Sequence, residues 1–589
     1  MIVALLVIVL CYELYLRYYR KIEIKENPLF ELFLFCLPII LNMLDLWAKW
    51  KSGYAGYFAI GGLVPWSDAN GYYYGARSLL EFGVLDEWSS RRPLAVGLFA
   101  VLSKITGQNL QITLVIMTIL VSASIYYTCR VIYKIFGYTA GLLMAVLLCT
   151  FVRIFNATVT TEPLGFILGG LALAFLMEGF YFERPQSSYL GFFALGLAFS
   201  ARTGALFLLP VLMLYAGYHF RGEAAFNFKV VLAALSATVI AILISLLLLA
   251  IIGAKDVTYQ GSFSYVLYGL VKGGRGWTLV MQEHPEIFTP DVSDAQRSRL
   301  IYHLVGQEFL KAPQLFFKTI LGLYSFAIKN AFTYLFSFIP MANRGVLKIL
   351  LLLTFSVPLF VRSNFTKKKL TVFFACAVLG IIFSLPFLYD GGIRVQAPTA
   401  PFNCILLVSG LGFLINKASI GARKNKDLVR VNYKLHSLVM GAVVSVLLIG
   451  PILVKLTSPN PQFKNYSCEA GKKNIIFRIT KGSVIQIVDD AQETNVPRVK
   501  ISTYRTNSPL ATNNLPGFGA IKVGEYLWGV FNLADRNTEY TYLIMNRDLE
   551  KIGKGFAVVC AEKIEGNKFG HSLYRGYLKE ILNNQDLVK

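Results

Sequence analysis

Residues 230–252 read VVLAALSATVIAILISLLLLAII, a stretch without a single charge or proline. At about 1.5 Å per residue a helix of this length reaches about 34 Å, enough to cross the roughly 30 Å hydrocarbon layer of a bilayer. Comparable apolar runs lie near residues 1–16, 29–47, 109–129, 138–152, 163–180, 189–201, 204–219, 345–361, 370–388, 399–415 and 435–456, separated by short polar and often basic stretches. The pattern predicts a polytopic α-helical membrane protein with about twelve transmembrane helices across residues 1–456. Composition agrees: of 589 residues, 55% are hydrophobic, 14% aromatic and only 15% charged, against about 25% charged in a typical soluble domain.

The 57 Lys and Arg against 34 Asp and Glu leave a formal charge of +23. In a membrane protein this excess has a topological explanation, and nucleic acid is not expected as a partner. Basic residues collect in short connections on the cytoplasmic side. Here they are Arg17/Arg20/Lys21/Lys25, Arg130/Lys134, Arg221/Lys229, Arg362/Lys367/Lys368/Lys369 and the group from Lys417 to Lys434. They alternate with the other connections, which puts both termini outside. The first run, followed by Arg17, Arg20 and Lys21 and by no small-residue cleavage site, reads as an uncleaved anchor. Segments 189–201 and 204–219 are short and break at Ala201-Arg202-Thr203-Gly204. Read as one helix, they would invert everything downstream and place the later basic clusters outside.

Two outside loops, 48–108 and 253–344, are long and rich in aromatic and amphipathic stretches such as Leu310 to Phe338, and are expected to lie as helices along the membrane surface. From about Ser458 the pattern becomes soluble. Residues 474–479, 483–488, 498–504, 526–531, 540–545 and 555–561 read as β-rich segments bounded by turn residues, which makes 457–589 a small extracytoplasmic domain. Six of the eight cysteines fall in or beside membrane segments as small apolar residues. Cys468 and Cys560 flank the β-rich domain and could bridge if it faces an oxidising compartment. The five histidines are scattered, and no Cys/His spacing suits a metal.

The first outside loop carries Pro65-Trp66-Ser67-Asp68-Ala69-Asn70-Gly71-Tyr72-Tyr73-Tyr74-Gly75-Ala76-Arg77 and later Ser89-Ser90-Arg91-Arg92-Pro93-Leu94. A carboxylate on an aromatic loop, with paired arginines downstream, can supply a base and cations for an anionic phosphate. From composition alone a solvated loop with surface ion pairs is the stronger reading.

The order of motifs changes that weighting. Asp68, Tyr72 and Ala76 fit D-x-x-x-Y-x-x-x-A, followed by Arg92-Pro93-Leu94 and then Thr160-Thr161-Glu162-Pro163-Leu164 at the next outside turn. Asp390-Gly391-Gly392-Ile393-Arg394-Val395-Gln396-Ala397-Pro398 echoes them before a late membrane segment. The chain, chiefly over residues 29–220, resembles the GT-C glycosyltransferases of the protein-mannosyltransferase and aminoarabinose-transferase type, which use polyprenyl-phosphate sugars. The resemblance implies that Asp68 is the general base and that Glu162 orients the acceptor or that base. It departs at Ala69, where the family often has a second acidic residue, and at Arg92-Pro93-Leu94, where it often has Pro-Pro-Leu.

Physical chemistry supplies a parallel argument. Transfer from a lipid phosphate needs a positioned hydroxyl, a base and cations on the leaving phosphate, with no nucleotide and no cofactor. Arg91, Arg92, Arg202 and Arg394 are expected near the outer membrane surface, where they bind a phosphate bidentately or simply snorkel. Lys272-Gly273-Gly274-Arg275-Gly276-Trp277 could cover the donor, though it lacks P-loop spacing. The expectation is a multi-pass transferase of the plasma (inner) membrane, moving a sugar from a polyprenyl-phosphate donor to a glycan, lipid or protein outside the cytoplasm. The rival readings are a flippase or transporter of a lipid-linked glycan, and a polysaccharide polymerase or ligase.

Overall fold

The structure is a computed structural model, and it describes residues 12–13, 27–53, 58–289, 291–335, 339, 365–388, 391–418, 433–488, 498–500, 521–535, 540–547, 549, 555–566 and 571–583. Its longer helices are α1 (Pro28–Ser52), α2 (Asp68–Phe82), α3 (Pro93–Ile105), α4 (Leu110–Phe136), α5 (Tyr138–Val152), α6 (Glu162–Tyr181), α7 (Pro185–Ala201) and α8 (Leu208–His219). They continue as α9 (Phe228–Ile252), α10 (Phe263–Val271), α11 (Asp294–Lys311), α12 (Pro313–Leu335), α13 (Phe365–Leu388), α14 (Ala400–Ala418) and α15 (Tyr433–Leu456). Six of them, α1, α4, α6, α9, most of α13 and most of α15, are long and apolar enough to cross a membrane. The predicted segments 138–152, 189–201, 204–219 and 399–415 are also helical but shorter in apolar length. Segment 345–361 and nearly all of 1–16 lie outside the described residues. Helix starts follow local chemistry: Asn27 caps α1 by accepting from the Leu29 and Phe30 amides, and Asn109 and Asn227 cap α4 and α9 in the same way.

Contacts at the helix tips give each helix a direction. Glu31 at the start of α1 lies 3.3 Å from Arg130 near the end of α4, while Lys49 near the end of α1 donates to the Arg153 carbonyl just beyond α5. Glu162 opens α6 beside Arg202, which follows α7. At the opposite end of α6, Phe180 packs on Tyr215 of α8, with 4.9 Å between ring centroids. The α8 start is tied to the end of α13 by the Phe207 amide on Ser384, and the Tyr215 hydroxyl donates to the Lys369 carbonyl near the start of α13. So α7 and α8 run in opposite directions through a reversal at residues 202–207, and the single-helix alternative is removed. Arg130, Lys134, Arg221, Lys229 and Lys369 all fall at the end of the bundle away from Glu162 and Arg202.

The C-terminal region is a seven-stranded mixed sheet. Its strands are β3 (Lys473–Arg478), β4 (Val484–Val488), β5 (Arg498–Lys500), β6 (Tyr526–Val530), β7 (Tyr540–Met545), β8 (Phe556–Gly566) and β9 (His571–Leu582), in the order β3-β8-β9-β7-β6-β4-β5. A small hairpin of β1 (Ala59–Ile60) and β2 (Val64–Pro65) lies earlier in the chain. Strand β9 was not expected. Its end, Leu-Lys-Glu-Ile-Leu, carries helix formers, and pairing with β8 overrides that preference, while β7 pairs with the start of the strand. Side chains alternate across the sheet. Ile485, Leu527, Tyr542, Ile544 and Leu573 enter the core that also holds Ile60, Val64 and Trp66, whereas Phe477, Trp528, Leu543, Met545 and Tyr574 form a separate cluster on the other face. Cys468 and Cys560 are joined in a disulfide.

The sheet changes what the first outside loop becomes. Residues 69–81 of α2 and 93–103 of α3 are buried, not laid on a membrane surface. The α3 helix packs among the bundle helices, and the docked sheet covers α2.

Candidate functional site

Asp68 is the first residue of α2, and the residue before it is strained: Ser67 has φ 56° and ψ −133°, a conformation favoured by glycine. Glu162 opens α6 with Pro163 behind it, Arg202 sits in extended backbone just past α7, and Arg394 lies in the single turn Ile393–Gln396 between α13 and α14. That turn reaches the bundle because Gly169 has no side chain. A Cβ there would lie 2.0 Å from the Pro398 carbonyl oxygen. The Asp390 side of the turn lies outside the described residues.

These elements bring residues from four parts of the chain together. The Arg394 guanidinium donates to Asp68 at 2.6 Å, lies 3.7 Å from Glu162 and covers the Phe58 ring at 4.4 Å. Glu162, 1% exposed, is also 3.4 Å from Arg202, whose Nη1 reaches the Thr161 hydroxyl. Both Glu162 oxygens, Arg202 Nε and Arg394 Nη1 are buried without a hydrogen bond. Buried polar atoms left in this way are costly, and they are common where a site accepts another molecule. Asp68 and Arg394 keep about a third and a quarter of their side chains exposed.

Tyr72, one helical turn after Asp68, faces the same cluster and packs on Trp88 at 4.4 Å. Burial pushes its hydroxyl pKa up, Asp68 and Glu162 add to this, and Arg202 and Arg92 oppose it. It is a neutral hydrogen-bonding group. Arg92 is 7% exposed and donates to the Thr203 hydroxyl at 3.0 Å and to the Arg91 carbonyl. It has no carboxylate partner among the described residues. Burial lowers its pKa, as do Arg202 and Arg91, while Tyr72 and Tyr259 act the other way. For Arg394 burial also acts downward, but Asp68 and Glu162 outweigh it and raise its pKa.

Arg91 is placed differently. It pairs with Asp294 at the start of α11, and Asp294 also accepts from the Thr258 amide. Its charge therefore anchors the start of α11. The Lys272–Trp277 stretch is likewise engaged, with Lys272 3.2 Å from both Glu283 and Glu308. The structure brings Asp68, Glu162, Arg202 and Arg394 together, with Arg92 beside them. Sequence reading quoted Tyr72, Thr161 and Thr203 inside its motifs but gave them no role in the site, although their spacing next to charged positions was a usable signal. It also missed the sheet's contribution: His571 packs on Trp66 at 4.6 Å and on Tyr540 at 5.0 Å, close to Asp68. No signal for that existed, because β9 was not read as a strand.

No protein-family model matches the chain, and no curated protein matches it in sequence. Among the described residues no group of His, Cys, Asp or Glu is arranged to hold a metal ion.

Proposed function

We propose that the cluster is the active site of a membrane glycosyltransferase that moves a sugar from a polyprenyl-phosphate donor to a hydroxyl acceptor outside the cytoplasm. The observation that carries this reading is the meeting of Asp68, Glu162, Arg92, Arg202 and Arg394 at one end of an apolar helix bundle, opposite the basic connections. The positive-inside rule then assigns that end to the outside, and the Cys468–Cys560 disulfide fits an oxidising compartment. Charged groups at the helix ends, not at mid-bundle, fit a transferase better than a transporter.

In this reaction Asp68 takes the proton of the acceptor hydroxyl while its oxygen bonds to the anomeric carbon. The bond from that carbon to the phosphate oxygen breaks, and its electron pair leaves on the polyprenyl phosphate. Arg92 and Arg202 hold the phosphate, and Glu162 keeps Arg202 and Arg394 in place. Three arginines face two carboxylates in the cluster. The excess of one positive charge suits a phosphodiester, which carries one negative charge.

The test uses the full-length protein in nanodiscs with a panel of radiolabelled polyprenyl-phosphate sugars and membrane extract as acceptor. Consumption of one donor with release of polyprenyl phosphate supports the reading. Translocation of a lipid-linked glycan across the bilayer without cleavage would replace it with the transporter. A companion measurement concerns Arg92. An unpaired buried cation destabilises the protein that carries it, so Arg92→Met should raise Tm while weakening binding of farnesyl phosphate. A lowered Tm with unchanged binding would make Arg92 a structural residue.

A further inference from the structure

The arginines occupy only one side of Asp68. On its other side stands the C-terminal sheet, and the described groups it brings near Asp68, Tyr540 and His571, are uncharged aromatic and polar side chains. Tyr540 and His571 are register partners at the start of the parallel strands β7 and β9. The docked face of the sheet carries both, along with Tyr542, whose hydroxyl donates to the Pro65 carbonyl at 3.0 Å. His571 lies against Trp66, two residues before Asp68. The Tyr540 hydroxyl lies 3.0 Å from where a Cβ on Gly71 would stand, and Trp88 closes over the same glycine. Gly71 is one helical turn after Asp68, on the same face of α2. Tyr540 and Trp88 are partly exposed, as Asp68 is, while His571 is buried behind Tyr540.

We propose that Tyr540, supported by His571, forms the acceptor side of the site, and that the acceptor is a neutral, hydroxyl-bearing ring of the sugar type. This rests on the transferase reading of the cluster and names the class of acceptor that reading left open. Three observations carry it. First, the sheet is part of the site: β7 and β9 pack into the same core as Trp66 and α2. Second, the groups offered are aromatic faces and neutral polar atoms. Such groups combine apolar contact area with directional hydrogen bonds, which suits a ring with apolar C–H faces and hydroxyl edges. Third, among the described residues the cation that acts on Tyr540 is Arg91, and it is paired with Asp294. Burial holds the His571 imidazole down to about 4, with the neighbouring Asp68 acting the other way, so it is neutral at physiological pH. Burial likewise keeps the Tyr540 phenol protonated. The acceptor hydroxyl, held between Tyr540 and Asp68, gives its proton to Asp68 as its oxygen bonds to the anomeric carbon and the phosphate departs with the electron pair.

The test gives the full-length protein farnesyl phosphate carrying mannose, glucose, galactose or arabinose, with a neutral methyl glycoside, glucose 6-phosphate or water as acceptor. The wild type should prefer the methyl glycoside. Tyr540→Phe keeps the ring and loses one hydrogen bond, so KM for the glycoside should rise about tenfold, with farnesyl phosphate binding unchanged. His571→Gln should give the same split if Tyr540→Phe is poorly folded. An unchanged KM in both variants, a preference for glucose 6-phosphate, or loss of donor binding together with Tm would each overturn the proposal while leaving the transferase reading standing. If no donor is consumed with any acceptor, the transferase reading falls and this inference with it.

Discussion

Arg394 lies 2.6 Å from the Asp68 carboxylate and 3.7 Å from Glu162, so one guanidinium ties the candidate base to the buried acid. Removing either carboxylate should have a different consequence. Asp68→Asn keeps the shape and a hydrogen bond to Arg394 but cannot accept a proton. Sugar transfer should fall by a factor of about 100 to 10,000, with membrane insertion and farnesyl phosphate binding retained. Near-normal turnover in a folded Asp68→Asn protein would shift the base to Glu162. Glu162→Gln instead leaves Arg202 and Arg394 close together without their shared counter-charge. Breaking a buried pair in this way costs about 3–5 kcal/mol, so the variant should show a clear drop in Tm by calorimetry. Retained Tm would mean that solvent already compensates the two arginines.

Docking of the sheet onto α2 depends on a small set of contacts. Arg478 of β3 grips Glu81 of α2 through two bonds of 2.6 and 2.8 Å, and Glu81 is fully buried. Burial raises the Glu81 pKa, but Arg478, Arg77 and Gln108 outweigh it and hold it below the usual carboxylate range. A carboxylate with a lowered folded pKa stabilises above its unfolded value, near 4.5, and loses that contribution as pH falls through the folded one. His571 acts earlier. Its folded value of about 4 lies below the ordinary 6.5, so the unfolded chain takes up the proton first and stability declines as pH falls from 6.5 towards 4. Thermal melts between pH 7 and 4 should therefore show a falling Tm, and His571→Gln should flatten the upper part of that fall. Identical pH profiles for the two proteins would show that the sheet does not bury a neutral imidazole. The disulfide acts on the same element. Cys468 and Cys560 are 92 residues apart in sequence, and closing so long a loop is worth typically about 2–4 kcal/mol. The double Cys→Ser protein should unfold at lower temperature, its sheet first.

For the whole molecule, the directions of α1 and α4–α9, with α13 and α15, predict an ordered set of accessibilities. Reporter fusions after residue 425 should report the cytoplasm and fusions after Lys455 the outside, because α15 separates them. Cytoplasmic signals from both would put the sheet and the cluster on the wrong side for a lipid-phosphate donor. The sequence by itself determined the apolar helices, since crossing a bilayer demands length and hydropathy that composition records directly. It determined the sites of helix starts such as Asn27 and Asn109, where a capping side chain is a local matter. It also singled out Asp68 and Glu162 through the order of their motifs, and Arg91, Arg92, Arg202 and Arg394 through their place at segment boundaries. The tertiary structure alone decided that Asp68, Glu162, Arg202 and Arg394 share one cluster, that Arg91 is committed to Asp294, and that β9 is a strand bringing His571 to Trp66. Each of these is a contact between residues far apart in the chain. Pairing and burial there override what the local sequence prefers, so no window along the chain contains the answer.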